Sequence, residues 1–310
     1  MTRRPFLASA LAVLLISLSA CGGDGDEAGH SPGNNSPKLL FVPDKAHNIV
    51  GALMTLAPVN GAAIDTFAFN AFAGDNLQYD PVRDELYGAT AAGSPLQVSV
   101  SVYGSASKGS AGAALGRSFK LPADVVRANW LTLDRASGTL YIAATRQGDS
   151  TLLAYKNAAT LTGTPAPDRN QVFSGGLLQP AFDFTRGIVY AGTARLDLAT
   201  GAQIATLPGL PVGGTSAAID AQRDVLYLAN SIDNTLRVVA QASTANAAIV
   251  ATLPLNDIQY VTVDPANDRL YASVLATVYV FENASAIRGN SAVASTVTSA
   301  GATLGGVAFR

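Results

Sequence analysis

Apolar residues along this chain fall in short alternating or continuous blocks, and polar turn residues interrupt them at frequent intervals. Leu131-Thr132-Leu133 and Val261-Thr262-Val263 show the period of two expected of a strand with one buried face. Five such blocks end in the same way. An apolar residue is followed by Asp, three positions, Asp or Gly, one position, an apolar residue and Tyr. The segments are Tyr79-Asp80 to Leu86-Tyr87, Leu133-Asp134 to Leu140-Tyr141, Phe182-Asp183 to Val189-Tyr190, Ile219-Asp220 to Leu226-Tyr227, and Val263-Asp264 to Leu270-Tyr271. The Asp starts a turn, because its carboxylate can accept a backbone N–H two residues on. The Asp or Gly four residues later suits a left-handed backbone. The apolar-Tyr pair then opens a second strand. Each unit therefore begins with a hairpin.

The five aspartates are 54, 49, 37 and 44 residues apart. That is about the 40–50 residues of a four-stranded propeller blade. Further strands follow at Leu96 to Tyr103, Leu152 to Tyr155, Leu236 to Val239 and Val278 to Phe281. Tyr155 to Gly163 matches Phe281 to Gly289, with Tyr103 to Ser107 a fainter copy, and these read as the turn after the third strand. The segment Val307-Ala308-Phe309-Arg310 matches the inner strand Val261 to Asp264, with Arg310 in the Asp slot. Leu39 to Val42 matches a second strand with no inner partner. The expected fold is all-β: a six-bladed β-propeller with four-stranded blades over residues 38–310, its ring closed by the C-terminal strand joining the N-terminal blade. Such closure removes open sheet edges.

Leu226-Tyr227-Leu228-Ala229-Asn230-Ser231-Ile232-Asp233-Asn234-Thr235 resembles the YVTN type of propeller repeat, which is close to NHL repeats. Asp197-Leu198-Ala199-Thr200-Gly201 resembles the Asp-x-x-Thr-Gly turn of the same families. This resemblance implies the fold and only weakly a function.

The first residues follow a different pattern. Arg3 and Arg4 precede a nearly continuous apolar run from Phe6 to Ala20, too short for a comfortable membrane span and suited to a signal-peptide core. Leu18-Ser19-Ala20-Cys21 resembles the bacterial lipobox, which implies cleavage after residue 20 and lipidation of Cys21, the chain's one cysteine. Thr2 to Leu7 also resembles a twin-arginine export signal. Residues 21–37, rich in Gly, Ser, Asn and Pro, read as a flexible tether. By resemblance to lipoproteins of enteric bacteria, Gly22 favours the outer membrane. The expected location is therefore the cell envelope, facing the periplasm or the surface. The expected state is a monomer anchored to the membrane through Cys21.

Composition narrows the chemistry. The net charge is −2 with 14% charged residues, which leaves no basic footprint for nucleic acid. One cysteine excludes a disulfide within the chain. His30 falls in the tether and His47 in an ordinary polar loop. In propellers of this shape, ligands meet the face formed by loops entering the inner strands and loops between second and third strands. The first group here comprises Asp75, Asn76, Arg127, Asn129, Trp130, Gln179, Ser216, Asp257, Gln259 and Tyr260. The second comprises Asp44, His47, Arg146, Asp149, Asn230, Asp233 and Asn234. From these, Asn76, Arg127, Asn129, Trp130, Gln179, Asn230 and Gln259 are the expected ligand-binding residues. Trp130, the one tryptophan, is either a stacking surface for a flat ligand or an aromatic plug between blades.

No catalytic residue, metal site or cofactor is expected. The repeated aspartates recur once per blade, and symmetry spreads them round a ring instead of converging them on one ion. The leading expectation is a non-catalytic binding or scaffold module for an envelope protein, a glycan or a small ligand. The alternative is a metal-assisted, lactonase-like hydrolase. Six-bladed lactonases hold a channel metal with a Glu, whereas Glu27, Glu85 and Glu282 here all lie outside the expected inner strands.

Overall fold

The structure, a computed structural model, describes residues 39–44, 52–57, 65–69, 72–173, 179–207, 215–298 and 304–309. Cys21, His30, His47 and Arg310 lie outside the described residues. The protein is an all-β β-propeller with four-stranded, antiparallel blades.

Among the described residues the strands form six four-stranded sheets. Blade I joins Phe72–Asp80, Glu85–Ala92, Gln97–Gly104 and Ala114–Lys120. Blade II joins Val125–Asp134, Thr139–Arg146, Asp149–Tyr155 and Arg169–Phe173. Blade III joins Ala181–Asp183, Ile188–Ala191, Ala194–Asp197 and Gln203–Thr206. Blade IV joins Thr215–Asp220, Val225–Asn230, Thr235–Ala240 and Ala248–Pro254. Blade V joins Ile258–Asp264, Arg269–Val274, Thr277–Glu282 and Ser295–Thr298. Sheet VI takes Ala308–Phe309 from one end of the chain and Leu40–Asp44, Ala52–Ala57 and Asp65–Phe69 from the other. In it Phe309 pairs with Leu40 and Ala308 with Phe41.

The repeated residues act as their chemistry predicts. Asp80 accepts the N–H of Val82 and Asp134 that of Ala136, while Asp220 accepts those of Gln222 and Arg223. Four residues later, Asp84, Gly138, Gly187, Asp224 and Asp268 have φ of 55°, 67°, 65°, 55° and 50°. This left-handed residue also fixes the turn after the third strand. Its carbonyl accepts an N–H from Ala106, Ala158, Leu198, Ala242 or Ala284 in the respective blade. Where it is Asp, its carboxylate adds bonds from the next residue in that turn: Ser107, Ser243 or Ser285.

The repeated tyrosines fill the spaces between blades. Tyr87 packs with Leu131 and Ile142 of blade II, Tyr190 with Leu226 of blade IV, and Tyr227 with Val261 of blade V. Tyr271 packs with Leu40, Val42 and Val307 of sheet VI. Phe41 and Phe69 of sheet VI pack in turn with Leu77 and Tyr79 of blade I. Each large side chain removed from water at these junctions contributes about 1.5–3 kcal/mol. The core is thus a series of wedges between sheets. Desolvation raises the hydroxyl pKa of Tyr87, Tyr190, Tyr227 and Tyr271, and pushes Tyr155 up to about 12.

Candidate functional site: the rim and plug of the central channel

The inner strands start at one face of the blades, the rim face, and end at the turn aspartates, the turn face. Most residues that the sequence places in loops at the rim belong to strands. Asp75 and Asn76 lie within Phe72–Asp80, Arg127, Asn129 and Trp130 within Val125–Asp134, and Gln259 and Tyr260 within Ile258–Asp264. The cause is local. Register shifts between Phe72 and Leu77, at two places between Val125 and Trp130, and between Ile258 and Tyr260 add residues to the starts of these strands. Such bulges keep the strand going while re-aiming its side chains. Asn230, placed by the sequence in a loop, is the last residue of Val225–Asn230.

The residue four before each turn Asp occupies one repeat position, or layer, of the blades: Asn76, Trp130, Gln179, Ser216 and Tyr260, with Gly306 at the matching place in sheet VI. Neighbouring inner strands are joined through it. The Asn76 side chain accepts the N–H of Leu131 at 2.8 Å and donates to the Leu131 carbonyl at 2.8 Å. Ser216 Oγ accepts the N–H of Val261 at 3.3 Å. The Gln179 carbonyl accepts the N–H of Ala217, and the Gly306 carbonyl that of Leu77. Thr262 Oγ1 donates to the Val307 carbonyl at 3.3 Å, linking blade V to sheet VI.

Within this layer Trp130 and Tyr260 stack, with ring centroids 6.0 Å apart and planes 17° apart. They come from blades II and V, three steps apart in the series. Both are 6% exposed. Gly306 lies against the indole: a Cβ built there would come 2.5 Å from Trp130 Cη2 and 2.9 Å from Asn76 Cβ. The contact therefore requires glycine. Of the two readings of Trp130, the structure shows the buried aromatic plug. Its ring is covered by Tyr260 and Gly306, so it offers no stacking surface at the rim.

The other expected ligand-binding residues divide in two. Asn76, Asn129 and Asn230 are buried and engaged within the fold. Asn129 donates to Thr145 Oγ1 at 2.9 Å, and Asn230 accepts the N–H groups of Ile232 and Asp233 as a turn former. Arg127, Gln179 and Gln259 keep exposed surface at the rim. Arg127 reaches Asp75 at 2.8 Å, with its own side chain half exposed and the carboxylate buried. Beyond them, Leu96, Ile232 and Leu275 stand exposed on turns between second and third strands. Sequence reasoning passed over these three apolar tips. Their signal was an apolar residue inside an otherwise polar turn.

At the opposite face the turn carboxylates are held by their own turns. Burial would raise Asp80, but hydrogen bonds from Arg83 and from the N–H groups of Val82 and Arg83 outweigh it and keep the carboxyl below its usual range. Among the described residues no group of three or more His, Cys, Asp or Glu side chains converges on one point.

With this geometry in view, the chain is similar to two solved structures. One is in "Crystal structure of Nidogen/Laminin Complex", at 15% identity and a TM-score of 0.59, covering 87% of this chain and 97% of the other. The second is a functionally unknown protein from Desulfotomaculum acetoxidans DSM 771, at 9% identity and a TM-score of 0.53, covering 84% and 80%. At these identities the likeness concerns the fold, and it agrees with the propeller class. No family model and no curated protein matches the sequence.

Proposed function

We propose that this protein is a cell-envelope lipoprotein whose six-bladed, C-terminally clasped propeller is a non-catalytic binding or scaffold module. Residues 1–20 serve as signal peptide, Cys21 carries the lipid, residues 21–37 form the tether and residues 38–310 form the disc. The partner is an envelope protein or glycan that docks on the rim face around Arg127, Gln179 and Gln259. One observation carries this reading: Trp130 stacks on Tyr260 against Gly306, and this buried contact joins blades II and V at the start of the inner strands, where a channel-centred hydrolase would receive its substrate. Binding then falls to the rim, where Arg127 and the apolar tips Leu96, Ile232 and Leu275 remain exposed beside the half-buried amides of Gln179 and Gln259. Aromatic and apolar contacts rimmed by polar groups suit a docking surface.

Photo-crosslinking in intact cells tests this, with the crosslinker placed at Gln259 on the rim or at Gln222 on the turn face. A discrete adduct from Gln259 and none from Gln222 is the expected result. Metal-dependent lactone hydrolysis by the purified protein, with no rim adduct, would establish the hydrolase alternative. Cys21→Ser should move the protein from the membrane fraction to the soluble fraction. Continued membrane attachment would refute the anchor.

A further inference from the structure

Three inner turns carry an Asp–Arg pair: Asp80–Arg83, Asp183–Arg186 and Asp220–Arg223, at 2.8, 2.7 and 2.7 Å. Two of these arginines continue to the next blade. Arg186 donates to the Ala221 carbonyl at 2.7 Å and Arg223 to the Pro265 carbonyl at 2.9 Å. Among the described residues Arg83 makes no such bond, and its side chain is half exposed. At this junction blades I and II leave a cleft of about 260 Å³, lined in part by Arg83, Arg135, Ser137, Gly138, Asn157 and Thr160.

The wall from blade II is Ala136-Ser137-Gly138, where blade IV places Gln222-Arg223-Asp224. Small residues therefore leave the space open. Arg135 donates to the Tyr79 carbonyl at 2.9 Å. Among the described residues no carboxylate lies within ion-pair distance of it. Asp80, on the blade I wall, already holds Arg83 and two backbone N–H groups. The cleft thus has two guanidinium groups against one carboxylate. Packing around the Arg135 guanidinium removes water and lowers its pKa, against the raising fields of Asp80 and Asp264.

We propose that this cleft binds a small oxyanion, a carboxylate or a phosphate group, between Arg83 and Arg135. Planar guanidinium groups with unused donors match the paired oxygens of such anions. The volume suits a single small group more than an extended ligand. The site is on the turn face and is independent of the rim surface proposed above.

The test is a titration of the intact protein with acetate and, separately, with inorganic phosphate, followed by amide NMR shifts at Arg83, Ser137 and Gly138. Saturating shifts confined to these residues are expected with at least one anion, and the anion that saturates at lower concentration identifies the chemistry. Arg83→Gln and Arg135→Gln should each weaken binding about tenfold or more. Arg83→Lys and Arg135→Lys, which keep the charge but lose the fork, should weaken it less. Arg186→Gln should leave binding unchanged, and unfolding midpoints report that each variant is folded. Linear, non-saturating shifts with both anions, or equal shifts at Arg186 and Arg83, would overturn the proposal.

Discussion

Trp130 and Tyr260 are separated by 130 positions in the chain, yet their rings stack 6.0 Å apart within one layer of the inner strands. Each belongs to a position that holds Asn, Gln, Ser or Gly in the other blades. At this position the two aromatics of blades II and V meet each other. The stack ties blade II to blade V, while Asn76 and Ser216 tie neighbouring inner strands.

Trp130→Ala should therefore act as a core mutation. Removing a buried indole with its partner left in place costs about 3–5 kcal/mol. Gly306→Ala should also destabilise, since the added methyl meets Trp130 at 2.5 Å. In Trp130→Ala the same Gly306→Ala change should cost less, with only the approach to Asn76 Cβ at 2.9 Å left to accommodate. A double-mutant cycle by urea unfolding reads this coupling directly. Additive losses would show that the two residues do not share the contact.

Asn76→Ala leaves the buried N–H and carbonyl of Leu131 without their side-chain partner. Each unsatisfied buried group costs about 1–3 kcal/mol. Asn76→Asp keeps the acceptor for Leu131 N–H, and when protonated it also offers an O–H to the Leu131 carbonyl, so at a pH where the acid is protonated it should fall between wild type and Asn76→Ala. Equal losses for both variants would contradict the two-bond geometry.

Acid should weaken the junction between blades I and II. Glu85 accepts bonds from Arg117 and Tyr87, while Arg117 also reaches the Ala158 carbonyl of blade II. Burial would raise the Glu85 carboxyl, but the hydrogen bonds from Arg117 and Tyr87 and the Arg117 charge together outweigh it and hold the carboxyl below its usual range. A carboxylate lowered in the folded state stabilises fully above its unfolded pKa and loses that contribution as pH falls through the folded value. The unfolding midpoint of the wild type should therefore decline below about pH 4.5. Part of that decline should vanish in Glu85→Gln, which at neutral pH is less stable by about 2–3 kcal/mol.

The buried tyrosines set the alkaline limit. The Tyr155 hydroxyl is pushed up to about 12, and Tyr190, Tyr227 and Tyr271 are raised as well. A group whose pKa is raised on folding stabilises fully below its unfolded value, near 10, and loses this as pH rises through the folded value. An ultraviolet phenolate titration should show exposed tyrosines ionising first and the buried set ionising only with unfolding. Ionisation of every tyrosine near pH 10 with the fold intact would contradict their wedge role.

The hairpins were legible in the sequence because each needs only local chemistry. Asp at the turn, a left-handed Asp or Gly and a Tyr recur at fixed spacing, and the structure gives each the expected job. The rule linking Asp84, Asp224 and Asp268 to Ser107, Ser243 and Ser285 was also written there. In the blades with Gly138 and Gly187, the matching outer residues are Ala159 and Ala199. It was overlooked because the paired positions lie about twenty residues apart, across two strands. The candidate site was less legible. Bulges decide whether Asn129 points to Thr145 or to solvent, and no local pattern announces a bulge. Stacking of Trp130 on Tyr260 depends on how far the ring brings blade V round to face blade II, which no short window contains.

The ring closure proposed for the last residues rests on the pairing of Phe309 with Leu40 and of Ala308 with Phe41. The most direct measurement compares amide hydrogen exchange and urea unfolding for the full chain and for a chain ending at Gly306. If Ala308 and Phe309 clasp the ring through Leu40 and Phe41, truncation should strip protection from the one of those two adjacent amides that faces the last strand and markedly lower the unfolding midpoint. Unchanged protection and an unchanged midpoint would contradict the account.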